Sequence, residues 1–250
     1  MSHWESERHA IRHLLDERHP AHAMAAYYAL NHPGDRTTLI PWPSPPSRAT
    51  AYLCLSMTGL DLFRPLLTSH LPITSEATAA LFHDVLPPGA ALLISAPVQE
   101  RPILAALFDL EGESTLRLYD YRQLRTEPEL NVLMSQEATP QGWSRFIIQQ
   151  PDSQTGQNKA VASAQVNWQG RYYAEISVQT APGYQRRGFA RSVVQALVAD
   201  IQASGRTPLY RVETGNEASL ALAEAVGFRP TGFESVMLEA TLREKPAGLR

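Results

Sequence analysis

The hydrophobic pattern of the chain is clearer in the second half than in the first. The second half predicts three strands, a helix, a strand, a second helix and a last strand. The helix that opens at Gly188 gives the strongest signal, because apolar residues recur at helical spacing through Ile201. The predicted elements of this half lie at 144–150, 160–168, 172–180, 188–204, 209–213, 216–226 and 231–239.

The first half predicts shorter helices and strands in a mixed order. A helix runs from Trp4 to Leu15 and ends before Pro20. The run from Pro41 to Pro46 is predicted to be a loop, because proline has no backbone N–H to donate to a helix or a central strand. Further helices are predicted at 22–30, 75–86 and 121–125, and strands at 49–57, 90–95, 103–108 and 115–119.

The boundary between the halves is predicted at Glu127-Pro128-Glu129. It divides the chain into an N-terminal α/β domain at 1–126 and a second domain at 127–250. A chain of 250 residues is long enough for two small domains, each with a hydrophobic core.

Charge and composition narrow the class of protein. The formal net charge is −3, so bulk electrostatics gives no reason to expect nucleic acid or an anionic membrane as a partner. The apolar runs are far shorter than the roughly 20 residues of a transmembrane helix. The N-terminus lacks the basic-then-apolar pattern of a secretory signal. Cys54 is the single cysteine and lies in an apolar run, which favours a buried structural thiol in a reducing compartment, taken to be the cytoplasm.

The segment from Gln185 to Ala190 carries the candidate chemistry. It follows a predicted strand and opens the best predicted helix, where backbone N–H groups without internal partners can bind a pyrophosphate. Gly188 allows the backbone to approach a phosphate closely, and Arg186 and Arg187 add positive charge. The alternative is an ordinary strand-to-helix connection with a solvated basic pair.

Other common sites are disfavoured by the sequence. His9 and His13 have helical i, i+4 spacing but no Glu between them, and a solvated helix surface is favoured over a zinc site. The sequence has neither a Walker-type phosphate loop nor a Gly-x-Ser-x-Gly elbow. No metal is therefore expected.

Two segments together resemble the signatures of the GNAT superfamily of acetyltransferases. Gln185-Arg186-Arg187-Gly188-Phe189-Ala190 is similar to its coenzyme A pyrophosphate loop, and the segment from Asn216 to Phe228 is similar to its second motif, with the same spacing. The second motif especially resembles the zwittermicin-resistance type. The resemblance covers about Phe146 to Glu239 and implies a twisted, mostly antiparallel sheet that is flanked by helices and splayed between strands 172–180 and 209–213.

The resemblance also implies the coenzyme-binding residues. The backbone of the strand at 178–180 would run beside the pantetheine arm of acetyl-CoA, the loop amides would hold the pyrophosphate, and Asn216 would contact the coenzyme arm in addition to capping its helix. The implied binding residues are Val178, Gln179, Thr180, Arg186, Arg187, Gly188, Phe189, Ala190 and Asn216.

The proton-transfer groups are less completely defined. Glu175 is the candidate general base, because the family carries a glutamate base on a similar strand; the alternative is a glutamate in an ion pair. Ala223 stands where many family members have a tyrosine general acid, and Ser219, Tyr184 or water are the candidate substitutes.

The implied activity is N-acetylation of a small-molecule or peptide amine by direct attack on acetyl-CoA. The alternative is a non-catalytic GNAT-fold module that binds acetyl-CoA as a sensor, which Ala223 favours. Residues 127–143 are too short for the first strand and two helices of the family, so the N-terminal half would supply some of them or they are absent. That half is expected to be a degenerate GNAT-like or substrate-shaping domain. The oligomeric state is open, a dimer included.

Overall fold

The structure is a computed structural model, and it describes residues 3–43, 48–122, 133–151 and 156–245. The helices are α1 (His3–Ile11), α2 (Ala23–Ala26), α3 (Ser75–Val85), α4 (Arg101–Leu107), α5 (Phe189–Ala203) and α6 (Glu217–Val226). The strands are β1 (Thr37–Trp42), β2 (Ala51–Ser56), β3 (Leu66–His70), β4 (Ala91–Pro97), β5 (Phe108–Tyr121), β6 (Ser135–Ala138), β7 (Ser144–Pro151), β8 (Asn158–Gln169), β9 (Tyr173–Thr180), β10 (Thr207–Glu213) and β11 (Phe228–Leu242).

The chain forms two compact units. The first contains the described residues up to Leu116 together with those from Phe233 onward, and the second contains Arg117–Gly232. Strands β5 and β11 are long enough that each contributes residues to both units. The predicted boundary at Glu127-Pro128-Glu129 lies outside the described residues, so the division at 126/127 stays a prediction.

The first unit has the strand order β1-β2-β3-β4-β11-β5. Neighbouring strands β1, β2 and β3 pair antiparallel, whereas β3 pairs with β4 in parallel at Leu66↔Leu93 and Leu67↔Ile94. Helix α3 makes the crossover that a parallel pair requires. It begins where the Thr74 hydroxyl accepts a hydrogen bond of 3.2 Å from the Ala77 N–H.

The second unit has the strand order β11-β5-β10-β9-β8-β7-β6. Strands β6 to β9 form an antiparallel meander, and β9 pairs with β10 in parallel after a crossover through α5. Both units therefore contain mixed, mostly antiparallel sheet with flanking helices, which confirms the predicted fold class.

Helix α5 packs on one face of the second unit's sheet. Its buried residues Val193 and Leu197 share a core cluster with Ala162, Ala164 and Ile176 of the neighbouring strands. The period-two alternation of a strand directs the intervening residues of β8 and β9 to the opposite face. The sequence therefore divides this sheet into an apolar face under the helix and a polar face.

Three details of the predicted first half are wrong. Residues 103–108 were expected to form a strand, but Ile103–Leu107 belongs to α4, since Pro102 suits the first turn of a helix and a short apolar run does not distinguish helix from strand. Pro41 and Trp42 lie in β1 rather than in a loop, because β1 is an edge strand, where proline is tolerated. Tyr121 ends β5 rather than beginning a helix.

Strands β1, β3 and β6 were not predicted at all. Strand β3 is only five residues long. Strand β6 has the exposed sequence Ser-Gln-Glu-Ala, in which one alanine is the single apolar residue, so no apolar alternation indicates a strand. Cys54 is fully buried in β2, as expected for a structural thiol. None of the described helices combines the length and apolar character needed to cross a lipid bilayer.

Candidate functional site

The sheet of the second unit opens between β9 and β10. Their pairing runs from Thr207↔Tyr173 to Tyr210↔Ile176 and ends there, although β9 continues to Thr180 and β10 to Glu213. On its other side β9 stays paired with β8 as far as Ala162↔Thr180. The edge of residues 177–180 that faces β10 is therefore left with backbone groups free for another partner.

A tight loop joins the open end of β9 to α5. Gly183 and Gly188 have φ of 81°, and Arg186, which is not glycine, has φ of 59°. A side chain at residue 188 would meet no atom within 4 Å, so glycine is required there by the backbone conformation rather than by crowding. The left-handed turns at 186 and 188 direct successive peptide N–H groups toward a common side, as in the anion-binding nests of other proteins.

The amides of this loop and of the first helical turn have no acceptor among the residues that the structure describes. Tyr184 donates to the Ala181 carbonyl and Ser192 donates to the Gly188 carbonyl, at 3.1 Å each. Between them, none of the N–H groups of residues 185–191 donates to an acceptor among the described residues. Gly188 is the N-cap residue of α5 and provides no side-chain cap. This set of unpaired donors is the main feature of the site.

Positive charge surrounds the loop. Arg186 and Arg187 are exposed, and the Arg187 guanidinium lies 5.1 Å from the centre of the Tyr184 ring. The Lys159 ammonium lies 5.6 Å from the same ring. Lys159 was missed by sequence reasoning, since nothing in the sequence brings the start of β8 beside a loop that follows β9.

The other predicted coenzyme-binding residues have distinct local roles. Phe189 is 9% exposed and packs in the core, which anchors the first turn of α5, and Ala190 is half-buried beside it. The Asn216 Oδ1 atom accepts a hydrogen bond of 3.0 Å from the Ser219 N–H and so caps α6. Its side-chain NH2 group stays available as a donor. Because β9 and β10 are parallel, the loops after them, with Gly188 and Asn216, lie at the same edge of the sheet.

Glu175 lies away from that edge, in a buried polar network. The residue is 3% exposed, and Oε2 accepts from Arg211 Nε at 2.5 Å while Oε1 accepts from Arg211 Nη2 at 3.1 Å. Oε1 also accepts from Asn167 Nδ2 at 3.3 Å, and the Ser177 hydroxyl donates to Asn167 Oδ1 at 2.7 Å. Glu175 is thus in an ion pair, with one lone pair of Oε2 left without a donor among the described residues.

This ion pair links β9 to β10 close to the point where their pairing ends. Glu175 pairs with Leu209 in the register, one residue before the pairing ends, and Arg211 is the first residue of β10 beyond it. The geometry places Glu175 about 17 Å along β9 from Thr180, at the usual rise of about 3.3 Å per residue.

The candidate acids occupy different positions. Ala223 is fully buried in the core of the second unit, so its position is enclosed. Tyr184 lies in the loop between β9 and α5, with Arg187 and Lys159 near its ring. Ser219 is in the first turn of α6, and its side chain interacts with the hydroxyl of Tyr210 in β10. Burial raises the pKa of Tyr210, so its hydroxyl stays protonated at neutral pH.

The first unit has the same succession of elements but a different connection between strand and helix. Between β3 and α3, the Thr74 side chain accepts from Ala77 and the Thr74 carbonyl accepts from Thr78. The connection Leu71-Pro72-Ile73-Thr74 contains neither glycine nor a basic residue. No group of three or more His, Cys, Asp or Glu side chains suited to a metal occurs among the described residues of either unit.

Comparisons with known proteins agree with this geometry. Residues 158–237 match the sequence model of a family described as FR47-like protein. The chain is similar to a GNAT-family acetyltransferase from Novosphingobium aromaticivorans, with 16% identity, a TM-score of 0.54, and coverage of 77% of this chain and 89% of that chain. It is also similar to a GCN5-related N-acetyltransferase from Kribbella flavida, with 12% identity, a TM-score of 0.55, and coverage of 79% and 87%.

A third similar structure is a tandem GNAT protein from the clavulanic acid biosynthesis pathway. Its identity is 12% and its TM-score 0.58, and the match covers 98% of this chain and 95% of that chain. At such identities the likeness establishes the fold. A search of curated proteins gave no match to this sequence.

Proposed function

We propose that this chain, which has the GNAT fold and an FR47-like segment, is an N-acetyltransferase that transfers acetyl from acetyl-CoA to an amine. The acceptor is a small molecule or a peptide, and the amine attacks directly. The observation that carries the proposal is the set of unpaired N–H groups at residues 185–191, beside the open end of β9.

Those amides suit the pyrophosphate of coenzyme A. The positive end of the α5 dipole and the exposed side chains of Arg186 and Arg187 favour a dianion at this point. Gly188, Phe189 and Ala190 contribute backbone N–H groups. The unpaired edge of Val178, Gln179 and Thr180 can hydrogen-bond the amides of the pantetheine arm as an added strand would.

The second unit rather than the first is the proposed coenzyme site. Both units have a parallel strand pair that separates after a few residues and a helix that crosses between the strands. The strand-to-helix loop of the second also has positive-φ turns and basic side chains, which the connection at 71–74 lacks. The first unit is therefore proposed to be a degenerate GNAT-like domain, and the domain division at 126/127 belongs to this proposal.

The reaction requires one bond to form and one to break. The amine nitrogen attacks the thioester carbon, the C–S bond breaks, the coenzyme leaves as a thiol, and the amine loses a proton. Glu175 is the proposed base, acting through a water molecule on the remaining lone pair of Oε2. Its ion pair with Arg211 holds the carboxylate in a fixed position.

A hydrogen-bond donor is also needed where the leaving thiolate forms. Ser219 is the proposed donor, since it lies in the first turn of α6 and its side chain interacts with the neutral phenol of Tyr210. This places the donor one helical turn from Asn216, whose side-chain NH2 group is the proposed contact to the coenzyme arm.

The second candidate function is a non-catalytic acetyl-CoA-binding module. The enclosed Ala223 favours it, because that position has no hydroxyl to protonate a thiolate. Release of free thiol from acetyl-CoA, measured with a broad panel of amines, separates the two functions. Turnover with any amine supports the enzyme, and binding without turnover supports the module. The zwittermicin-resistance type, the cytoplasmic location and the oligomeric state stay predictions.

The test of the coenzyme site is Gly188→Asp, with binding of acetyl-CoA measured by calorimetry. Aspartate tolerates left-handed φ better than most residues, so the variant is expected to fold. Its carboxylate places bulk and negative charge against the phosphates, and affinity should fall by about 100-fold or more, given the several kcal/mol of like-charge repulsion at a desolvated contact.

Gly142→Asp is the matched control. Gly142 has φ of 80°, and a side chain there also meets no atom within 4 Å. It lies in the turn between β6 and β7, so the same strain and charge are introduced away from the loop. Equal affinity in the two variants would exclude the loop at 182–188 as the coenzyme site.

A further inference from the structure

A cavity of about 440 Å³ lies on the second unit, beside the segment proposed to bind the pantetheine arm. Strands β7, β8 and β9 and the beginning of the loop after β9 form its walls. Its lining residues include Arg145, Val161, Ser163, Gln179, Thr180 and Pro182. Its volume lies within the usual range for a small-molecule site.

The cavity opens on the polar face of the sheet. Ser163 and Gln179 are directly opposite each other in β8 and β9, so their side chains project from the same face. Their neighbours Ala162 and Ala164 pack with α5 on the other face. The cavity is thus separated from α5 by the sheet, while Thr180 and Pro182 connect it to the end of β9.

Arg145 supplies a cation that has no counter-ion among the described residues. No described carboxylate lies within 4.0 Å of its guanidinium, and its Nε atom is buried and without a hydrogen-bond partner. Glu137 is opposite Arg145 in the register of β6 and β7, yet it is exposed and forms no ion pair with it. A buried donor on a permanent charge is costly unless an acceptor arrives with a ligand.

The side chains that line the cavity favour an anionic ligand. A guanidinium presents paired N–H donors that match two oxygens of a carboxylate or a phosphate. Ser163 and Gln179 add a hydroxyl and an amide on the same face. The described residues of the cavity walls include no carboxylate that would favour a cationic ligand instead.

We propose that this cavity binds the acceptor, and that the acceptor is an amine carrying an oxyanion held by Arg145. The inference rests on the proposed acetyl transfer and adds the substrate class. The oxyanion is a carboxylate or a phosphate, since both present the same oxygen pair to the guanidinium. Gln179 and Thr180 link the anion site to the proposed position of the coenzyme arm.

The test uses amines in matched forms with the full-length protein. The probes are the common amino acids and their amides, which differ only in the carboxylate, together with phosphoethanolamine and ethanolamine, which differ only in the phosphate. Binding is measured by calorimetry in the presence of coenzyme A, and turnover by thiol release from acetyl-CoA. At least one anionic probe should bind about tenfold or more tightly than its neutral form, as hydrogen bonds to a charged group provide.

Three variants distinguish the residues. In Arg145→Gln the anionic preference should fall to about threefold or less, and in Arg145→Lys part of it should remain, because the charge stays but the paired donors are lost. Arg171→Gln removes one exposed charge from the turn between β8 and β9 and should retain the full preference. Thermal unfolding verifies that each variant is folded.

The results separate this inference from the proposed function. Absence of acetyl-CoA binding by the wild type contradicts the proposed function. Normal acetyl-CoA binding with no anionic preference, or with no probe bound, overturns the inference alone. It is also overturned if Arg145→Gln weakens acetyl-CoA and leaves the preference unchanged, since the cavity would then belong to the coenzyme. An amino-acid preference assigns the oxyanion to a carboxylate, and a phosphoethanolamine preference to a phosphate.

Discussion

At the scale of single residues, the second unit contains two arginines in contrasting states. Arg211 is paired with Glu175 through two hydrogen bonds, whereas no carboxylate in the described part of the chain forms an ion pair with Arg145. Two opposite charges in an ion pair stabilise each other and hold both side chains in position. A cation that lacks such a partner beside a cavity is available to a ligand. The two arginines differ in their partners. The sequence alone does not show this difference, because both residues are predicted to lie in strands.

Glu175→Gln tests the base and the ion pair together. Loss of the carboxylate should lower kcat at neutral pH by about 100-fold and remove the acid limb of the pH profile of kcat/KM. Arg211→Met is the control, since it breaks the same ion pair and keeps the carboxylate. Each change leaves a buried group without its partner and should reduce the free energy of unfolding by about 3–5 kcal/mol.

The two variants should therefore differ in the pH profile and agree in stability. Retention of the wild-type acid limb in Glu175→Gln would show that the carboxylate only holds β9 to β10. Loss of the limb in Arg211→Met as well would show that the pair, rather than the carboxylate, is what the reaction requires.

At the scale of elements, the starts of α4 and α6 differ in how they are capped. Asn216 caps α6 with its side chain, while Glu100 occupies the N-cap position of α4 without a side-chain cap hydrogen bond. The Glu100 Oε2 atom is buried without a partner, and burial raises the pKa of Glu100 to about 7. The first unit thus carries a carboxyl group that stays protonated in weak acid.

This carboxyl group makes the stability of the protein depend on pH. The folded pKa of about 7 lies above the ordinary value of 4.5, so the folded state binds the proton more tightly than the unfolded chain. Stability is highest below pH 4.5 for this group and falls as pH rises toward 7. The loss is about 3 kcal/mol at most, from the cost of one pKa unit.

Glu100→Gln should remove that contribution and raise the midpoint of thermal unfolding at pH 8 relative to wild type. At pH 4.5 the two proteins should unfold at similar temperatures, because the wild-type carboxyl is then neutral too. A difference between the proteins that is the same at both pH values would contradict the raised pKa.

The sequence predicted the second unit better than the first for physical reasons. Helix α5 and strands β7 to β10 have clean apolar periodicity, and the glycines at 188 and 227 mark helix ends that the structure confirms. In the first half, the apolar run at 103–107 is compatible with either a helix or a strand. Strand β6 has almost no apolar residue from which a strand could be predicted. The Glu175 ion pair and the Arg145 cavity depend on register between strands, which the sequence does not contain.

At the scale of the whole molecule, the two units share one arrangement of strands and helix but differ in the loop that joins strand to helix. A parallel strand pair, a crossover helix and a separating edge occur in both. The free amides, the left-handed turns and the basic side chains occur in the strand-to-helix loop of the second. Coenzyme binding is therefore expected with one acetyl-CoA per chain, in Arg117–Gly232.

The most direct measurement is an NMR titration of the backbone amides of the deuterated, ¹⁵N-labelled protein with coenzyme A. We expect large downfield shifts of the amide protons of residues 185–191, as new hydrogen bonds to phosphate oxygens form, and little change at 71–77. If coenzyme A binds and the amides at 185–191 keep their positions in the spectrum, the phosphates lie elsewhere and the proposed site is wrong.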